Sequence, residues 1–279
     1  MQRTFGREVA GVLLRAVVVV LTIFLIIVGV TAFYDESTAI SDGTCNIAVY
    51  PLEGAILPFY GIGGYDLVTT PESLEAFMAT AEQEPYIEGV LVEINSPGGT
   101  PVASERIAER LRTSTLPVIG LAGDMAASGA YMVAAATDYL IASPMSEVGS
   151  IGVNMSYVEE SQKNEDEGLT YVQLTTGKFK DAGSPNRPIT DEERALFMQD
   201  LEIVHNYFVD LVAKYRNLPR EDVATLADGA AMTGTRALDA HLIDGLGGRA
   251  EAANAFATLL GKDISEIHFC EYKSDLLPF

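Results

Sequence analysis

The chain divides into short apolar runs, which are typical of buried strands, and longer stretches whose apolar positions recur every three or four residues, as on one face of a helix. The predicted strands cover residues 46–52, 89–94, 117–122, 139–142, 146–153 and 170–175, with an edge strand expected within 264–274. The predicted helices cover residues 71–83, 101–113, 126–137, 156–166, 190–216, 219–226, 234–240 and 249–261. This alternation of strands and helices predicts an α/β fold.

Two helix starts carry clear local signals. Pro71 follows Thr70 and stands at the first helical position, where the missing N–H of proline costs nothing. Thr190 precedes the longest helix and Glu193 follows three residues later, which is the pattern of a capping box. Between these elements, residues 61–64 are expected to form a loop and 176–189 a longer one.

Residues 16–34 form an uncharged apolar run that is long enough to span a bilayer as a helix of roughly 20 residues. Three arginines precede the run and two acidic residues follow it, so residues 1–15 are expected in the cytoplasm and the rest outside. A cleaved signal peptide is the alternative. The run exceeds a typical signal-peptide core and Thr31-Ala32-Phe33 is a poor cleavage site, which favours a retained signal anchor. Residues 35–45 then form a linker, and 46–279 the globular domain.

The net charge narrows the classes of partner that the protein could bind. The formal net charge is −21, and the segment before residue 35 carries three arginines against one glutamate, so the external part is more acidic still. Such a surface argues against nucleic acid as a partner.

Cys45 and Cys270 flank the domain and are free to pair in an extracytoplasmic setting, although sequence does not show that they are close. Cysteine and histidine spacing gives no metal site, and no cofactor is expected.

Ser128 lies in a run of small residues, Ala-Ala-Ser-Gly-Ala at 126–130, at a predicted helix start. A serine nucleophile needs such neighbours, because its hydroxyl must be reached by an acyl group and the next backbone N–H must be free to bind an oxyanion. Upstream, Asn-Ser-Pro-Gly-Gly at 95–99 follows a buried strand. Paired glycines at that place let the backbone come close to a ligand. Each pattern alone is also typical of ordinary tight packing or an ordinary turn.

Four motifs taken together resemble the S49 family of serine peptidases, the signal peptide peptidase A type. They are Asn-Ser-Pro-Gly-Gly at 95–99, Met-Ala-Ala-Ser-Gly at 125–129, Gly-Ser-Ile-Gly-Val at 149–153 and Gly-Lys-Phe-Lys-Asp at 177–181. They occur in the order and at the spacing of that family. The resemblance implies a ClpP/crotonase-like fold of repeated β-β-α units. It also implies a ring of subunits, because the chain carries a single copy of the site.

The resemblance assigns roles position by position. Ser128 matches the nucleophile and Lys180, directly before Asp181, matches the general base. Ser150 matches a serine that hydrogen-bonds the base. The oxyanion donors are Gly129 and one of Gly98 or Gly99.

A Ser/Lys pair is chemically coherent without a histidine. A lysine amine has an ordinary pKa of ~10.4. Burial in an apolar site lowers that value by several units, which yields a neutral amine that accepts the serine proton. Lys178, two residues earlier, is expected to be an exposed loop lysine. The three histidines, His205, His241 and His268, lie in helical or terminal contexts without a plausible partner, so a histidine triad is not favoured.

These observations predict a membrane-anchored, extracytoplasmic serine endopeptidase with a Ser128/Lys180 dyad. By resemblance, its substrates are remnant signal peptides and similar apolar peptides near the membrane. A related membrane protease that cleaves stomatin-type proteins, an inactive scaffold of the same fold and an acyl-CoA enzyme of the crotonase type are the alternatives.

Overall fold

A computed structural model describes Arg15, residues 17–26, Val28, Ile40, 43–60 and 67–270. Most of the predicted cytoplasmic segment and linker, part of the apolar run 16–34, the expected loop 61–64 and the end of the tail therefore lie outside the described residues. The described residues before Ile40 are helical. Within the described residues, no helix combines the length and the apolar character needed to cross a bilayer.

The domain is a mixed α/β structure built on a mostly parallel sheet, which confirms the predicted class. The strands of the described part are β1 (Ile47–Ile56), β2 (Val68–Thr69), β3 (Gly89–Gly99), β4 (Val118–Ala127), β5 (Tyr139–Ala142), β6 (Glu147–Gly149), β7 (Ala231–Thr233), β8 (Gly245–Leu246) and β9 (Phe269–Cys270). The helices that follow residue 70 are α1 (Pro71–Gln83), α2 (Pro101–Arg112), α3 (Gly129–Ala135), α4 (Ser161–Asp166), α5 (Asp191–Arg216), α6 (Arg220–Leu226), α7 (Gly234–Asp239) and α8 (Arg249–Leu260), with a 3₁₀ turn at Ile264–Glu266.

Parallel pairing runs in the order β2-β1-β3-β4-β5-β8, and β9 adds to β1. β6 leaves this order: it pairs in parallel with the carboxyl end of β4 and antiparallel with β7. The carboxyl end of β4, where Ser128 follows, is therefore enclosed between β3 on one side and β6 on the other. This arrangement positions the candidate site at one edge of the sheet.

Alternate residues of the central strands pack into two hydrophobic cores, one on each face of the sheet. Tyr50, Val92 and Ile94 face the larger core, which also includes residues of helices α1, α2, α3 and α5. Val49, Leu91 and Ile119 face a smaller core closed by Ala252 and Phe256 of α8. Because both faces are covered, the strands are apolar along most of their length, as expected for a parallel sheet.

The two helix starts read from sequence are confirmed. The Thr70 hydroxyl accepts a hydrogen bond from the Ser73 backbone N–H, and α1 has Pro71 as its first residue. The Thr190 hydroxyl accepts from the Glu193 backbone N–H at 3.2 Å, and the Glu193 carboxylate accepts in return from the Thr190 N–H at 3.0 Å. Both orphan N–H groups of the capping box are thus satisfied at the start of α5.

Several element boundaries differ from the sequence prediction. β3 continues through Gly99, because β1 pairs with it as far as Ile56 and the glycines extend the ladder instead of ending it. β4 likewise runs to Ala127, so α3 begins three residues later than predicted. The expected helix over 156–166 is reduced to α4, and the expected strand over 146–153 to β6. The edge strand of the tail is observed only as β9.

The predicted strand over 170–175 is wrong. The segment is uncharged and includes Tyr171, Val172 and Leu174, but all six residues are exposed and have no regular secondary structure. A strand needs hydrogen bonds from a neighbour, and the described part of the chain offers none to this segment.

Cys45 and Cys270 form a disulfide with their Cα atoms 5.1 Å apart. The bond joins the residues just before β1 to β9, across a sequence separation of 225. It ties the two ends of the domain together at the strand pair β1–β9.

Candidate active site

Ser128 occupies the single residue between β4 and α3. Its backbone has φ 53° and ψ −126°, a conformation that non-glycine residues rarely adopt. Strain of this kind is kept where the surrounding structure enforces it, often at functional sites. The neighbours Ala127, Gly129 and Ala130 are buried, whereas Ser128 is half-buried. The turn therefore presents one hydroxyl at the surface of an otherwise packed junction.

Ser150 lies directly beside Ser128. The Ser128 N–H donates to the Gly149 carbonyl at 2.8 Å, and Ala127 pairs with Gly149 in the β4–β6 ladder. Ser150 also has a positive φ, 51°, and its hydroxyl donates to the Gly229 carbonyl at 2.9 Å. A hydroxyl that donates one bond keeps its lone pairs for accepting others. Ser150 can therefore accept a hydrogen bond from a lysine ammonium placed next to Ser128.

The glycines predicted as oxyanion donors converge on the same point. A Cβ added to Gly98 would lie 2.6 Å from the Gly129 nitrogen, and one added to Gly129 would lie 3.2 Å from the Gly99 nitrogen. Gly129 is the first residue of α3, so its N–H has no acceptor within the helix.

Of the two upstream glycines, Gly99 is the better donor. The Gly98 N–H donates to the Ser96 hydroxyl at 3.1 Å, and that hydroxyl donates to the Gly54 carbonyl. The Thr100 N–H donates to Ile56 of β1, so the N–H of Gly99, one residue earlier in the strand, points away from β1 and toward Gly129. Gly98 has no side chain, and this lets the end of β3 lie close to the start of α3.

A cavity of about 140 Å³ opens beside the Ser128 hydroxyl. Apart from Ser128 and Asn154, its lining residues are glycines and apolar residues. It is lined by Gly99, Pro101, Ser128, Gly129, Met132, Gly152, Val153, Asn154, Val204 and Phe208. An apolar recess next to a nucleophile is suited to hold an uncharged side chain of a bound acyl group.

Lys180 is not brought to this cavity by the chain itself. It lies in an exposed turn, is absent from the lining residues, and its backbone N–H donates to the Gly177 carbonyl at 3.1 Å. The burial that the sequence analysis expects for its amine is not supplied within one chain. Lys178 is exposed as expected and forms an ion pair with Glu192 at 2.7 Å. The assignment of Lys180 as base stays a prediction.

Sequence reasoning missed the network around the residue after Lys180. The Arg187 guanidinium donates to the side chain and the main-chain carbonyl of Asp181, and also to both carboxylate oxygens of Glu193. The hydrogen bonds from Arg187 lower the pKa of Glu193 to about 2. The capping box identified Glu193, but nothing local in the sequence indicates that it also binds an arginine six residues earlier.

The three histidines do not line the cavity beside Ser128. His205 lies within α5, and His241 lies just after α7 with its carbonyl facing the Arg216 guanidinium. The arrangement thus brings together a serine hydroxyl, the backbone nitrogens of two glycines and a recess lined mostly by glycines and apolar residues. These are the parts required for acyl transfer to serine, with the base still to be supplied.

Comparison with known proteins agrees with this chemistry. The family model of Peptidase family S49 matches residues 110–263, which include Ser128, Gly129, Ser150 and Lys180. A putative protease of Methanocaldococcus jannaschii is 35% identical over 188 residues, covering 67% of this chain and 60% of the relative. A putative signal peptide peptidase SppA of Enterococcus faecium is 31% identical over 201 residues, covering 71% and 58%.

Protease 4 of Haemophilus influenzae is 28% identical over 221 residues, or 78% of this chain and 35% of the relative. The chain therefore spans about 60% of the length of the archaeal and enterococcal relatives and a smaller part of the third. The matched region contains the strained serine, its neighbouring strand end and the lysine loop. The chain belongs to peptidase family S49.

Proposed function

We propose that this protein is a serine endopeptidase that cleaves apolar peptides with Ser128 as nucleophile and Lys180 as base. The observation that carries the proposal is the strained Ser128 turn, which lies beside the closely approaching Gly99 and Gly129 and lines the same cavity as they do. Family membership supports it, and the Enterococcus faecium relative is named as a putative signal peptide peptidase. Remnant signal peptides have the apolar side chains that such a cavity accepts.

The reaction follows from these positions. The Ser128 hydroxyl attacks the peptide carbonyl while the neutral Lys180 amine takes its proton, and the resulting oxyanion accepts hydrogen bonds from Gly99 and Gly129. The ammonium then gives that proton to the leaving amine, and water hydrolyses the acyl-enzyme. Because only the neutral amine accepts the proton, kcat/KM is expected to rise with pH.

A second copy of this chain is the proposed source of the lysine. The segment 154–180 carries Lys180 and exposes eight large apolar side chains. They are Met155, Tyr157, Val158, Leu169, Tyr171, Val172, Leu174 and Phe179, of which Leu174 is 92% exposed. So many exposed apolar side chains in one segment favour an interaction site there. In a ring of identical subunits, the segment is covered by a neighbour and its lysine reaches that neighbour's Ser128.

The type of fold and the membrane anchor belong to the same proposal. The strand β6, which leaves the main order to flank the carboxyl end of β4, supports the ClpP/crotonase type of fold. The apolar run 16–34 supports an N-terminal membrane anchor that keeps the site close to membrane-released peptides.

Peptide hydrolysis by the purified full-length chain, compared with Ser128→Ala, tests the function. Peptides with alanine or leucine before the scissile bond are expected to be cleaved more than about tenfold better than those with aspartate or lysine there, since a charge in the apolar cavity is not compensated. An inactive scaffold predicts no hydrolysis by either protein. Hydrolysis that persists in Ser128→Ala removes the proposed nucleophile.

The proposed location is the outer face of the cell membrane, with residues 1–15 inside. The arginines at 3, 7 and 15 support this orientation, and the Cys45–Cys270 disulfide is typical of proteins outside the cytoplasm. Protease added to spheroplasts is expected to digest the catalytic domain and spare an N-terminal tag. A domain that is protected until the membrane is lysed would reverse the orientation.

A further inference from the structure

Arg187 connects the residue after Lys180 to the longest helix. Its Nε donates to Asp181 Oδ2 at 3.2 Å and its Nη2 to the Asp181 carbonyl at 2.9 Å. Nη1 and Nη2 also donate to the two carboxylate oxygens of Glu193 at 2.9 and 2.6 Å. The exposed fractions of the three side chains are 23% for Arg187, 19% for Asp181 and 5% for Glu193, so the cluster is largely shielded from water.

This network fixes the main chain as well as side chains. Because Arg187 binds the Asp181 carbonyl, it holds the backbone directly after Lys180. Glu193 is itself held by the capping box at the start of α5, and α5 farther along supplies Val204 and Phe208 to the cavity beside Ser128. One helix thus anchors the lysine loop and also forms part of the recess.

The neighbouring Lys178–Glu192 contact differs in kind. It joins the same loop to the same helix, but both side chains are more than 60% exposed and no main-chain atom takes part. Exposed ion pairs contribute little to the stability of a fold. A guanidinium that binds a carboxylate and a main-chain carbonyl at the same time restricts the positions of both groups. The two contacts form a matched pair for experiment.

Charge gives Arg187 a second role. The charged and titratable groups facing the Asp181 carboxylate are Arg187 and the Tyr171 hydroxyl, which donates to Oδ1 at 2.7 Å, and Glu193 faces the other side of the guanidinium. Lys178 and Glu192 compensate each other nearby. Asp181 directly follows Lys180 in the chain, so without Arg187 its carboxylate would add an uncompensated negative charge to the loop that carries the amine. A nearby negative charge favours the protonated form of an amine.

We propose that Arg187 is a positioning residue for the catalytic lysine: it clamps Asp181 to the start of α5 and neutralises the carboxylate that would otherwise keep the amine of Lys180 charged. The proposal rests on the proposed function. It extends the site to two residues, Arg187 and Glu193, that do not touch the reacting atoms.

Steady-state kinetics of the full-length chain across pH test this assignment. Arg187→Gln is expected to lower kcat by about 10²-fold, the cost of a small misplacement of a catalytic group, with KM changed less than about threefold. The pH at half-maximal kcat/KM is expected to move upward. Arg187→Lys keeps the positive charge but loses the several guanidinium N–H donors that bind Asp181 and Glu193 together. It should therefore lower kcat and leave the pH midpoint near that of the unchanged protein. Lys178→Gln serves as the control and should alter neither quantity.

The double variant Arg187→Gln/Asp181→Asn separates charge from geometry. Removing the uncompensated carboxylate is expected to return the pH midpoint toward its original value while kcat stays low. An unshifted midpoint in Arg187→Gln, or a loss of activity that merely follows a fall in Tm, would reduce Arg187 to a structural residue. An unchanged protein without Ser128-dependent hydrolysis would instead overturn the proposed function, which is a separate outcome.

Discussion

Replacing Lys180 with alanine is expected to lower kcat for peptide cleavage by several orders of magnitude, whereas Lys178→Ala keeps most of the activity. The first variant loses the proposed base, and removal of a nucleophile or base commonly has an effect of this size. The second loses only an exposed ion pair with Glu192. Initial rates on one apolar peptide, measured at saturating concentration, compare the two. Equal losses, or an active Lys180→Ala, would contradict the assignment of the base.

The same variants show which copy supplies the lysine. If Lys180 acts on the Ser128 of a neighbouring subunit, mixed assemblies of Ser128→Ala and Lys180→Ala chains contain some sites with both groups intact. Co-expression of the two inactive chains should then restore part of the activity. No restoration in assemblies proven to be mixed would place both groups in one chain and remove the argument for a shared site.

Substituting Gly98 with alanine is expected to reduce kcat by about 10²–10³-fold, the usual effect of losing an oxyanion donor. A Cβ at this position would lie 2.6 Å from the Gly129 nitrogen and 2.8 Å from the Ala127 carbonyl, and the φ of 95° is unfavourable for alanine. The new methyl group must therefore push the β3 glycines away from the start of α3, which separates the two donors.

Gly123→Ala is the matched control for this substitution. Gly123 lies in β4, a few residues before Ser128, but a Cβ there meets its nearest atom at 3.4 Å and needs no unusual φ. Near-normal activity is expected. A Gly98→Ala protein that folds, binds peptide and turns over normally would show that the two glycine segments do not form the oxyanion site.

Elements governed by local chemistry were predictable from sequence. Thr70 with Pro71 and Thr190 with Glu193 fix helix starts through contacts within four residues, and these starts were confirmed. Strand lengths depend on distant partners. β3 continues through Gly99 because β1, more than 40 residues earlier, supplies the hydrogen bonds, and no local pattern encodes that partner. The strand predicted over 170–175 is wrong for the converse reason, since the described part of the chain offers this segment no neighbouring strand.

The candidate site also has residues that local motifs indicate and residues whose roles depend on contacts formed in space. Ser128, Ser150 and the glycines were found because short motifs place them at strand ends, and the sheet then brings them together. The choice of Gly99 over Gly98 as the proposed donor depends on the hydrogen bond from the Gly98 N–H to Ser96, which no sequence pattern indicates. The role of Arg187 depends on a three-residue cluster formed in space. The environment proposed for Lys180 involves a second subunit, and neither the sequence nor one chain describes such a surface.

The central claim is that Ser128 is an activated nucleophile, and covalent labelling tests it most directly. The full-length chain is treated with a phosphonylating serine-hydrolase reagent, and the modified residue is identified by mass spectrometry of its peptides. The account predicts one adduct on the peptide that contains Ser128, formed in parallel with loss of peptidase activity, and none in Ser128→Ala. An adduct on another residue, or complete inactivation without modification of Ser128, would contradict it.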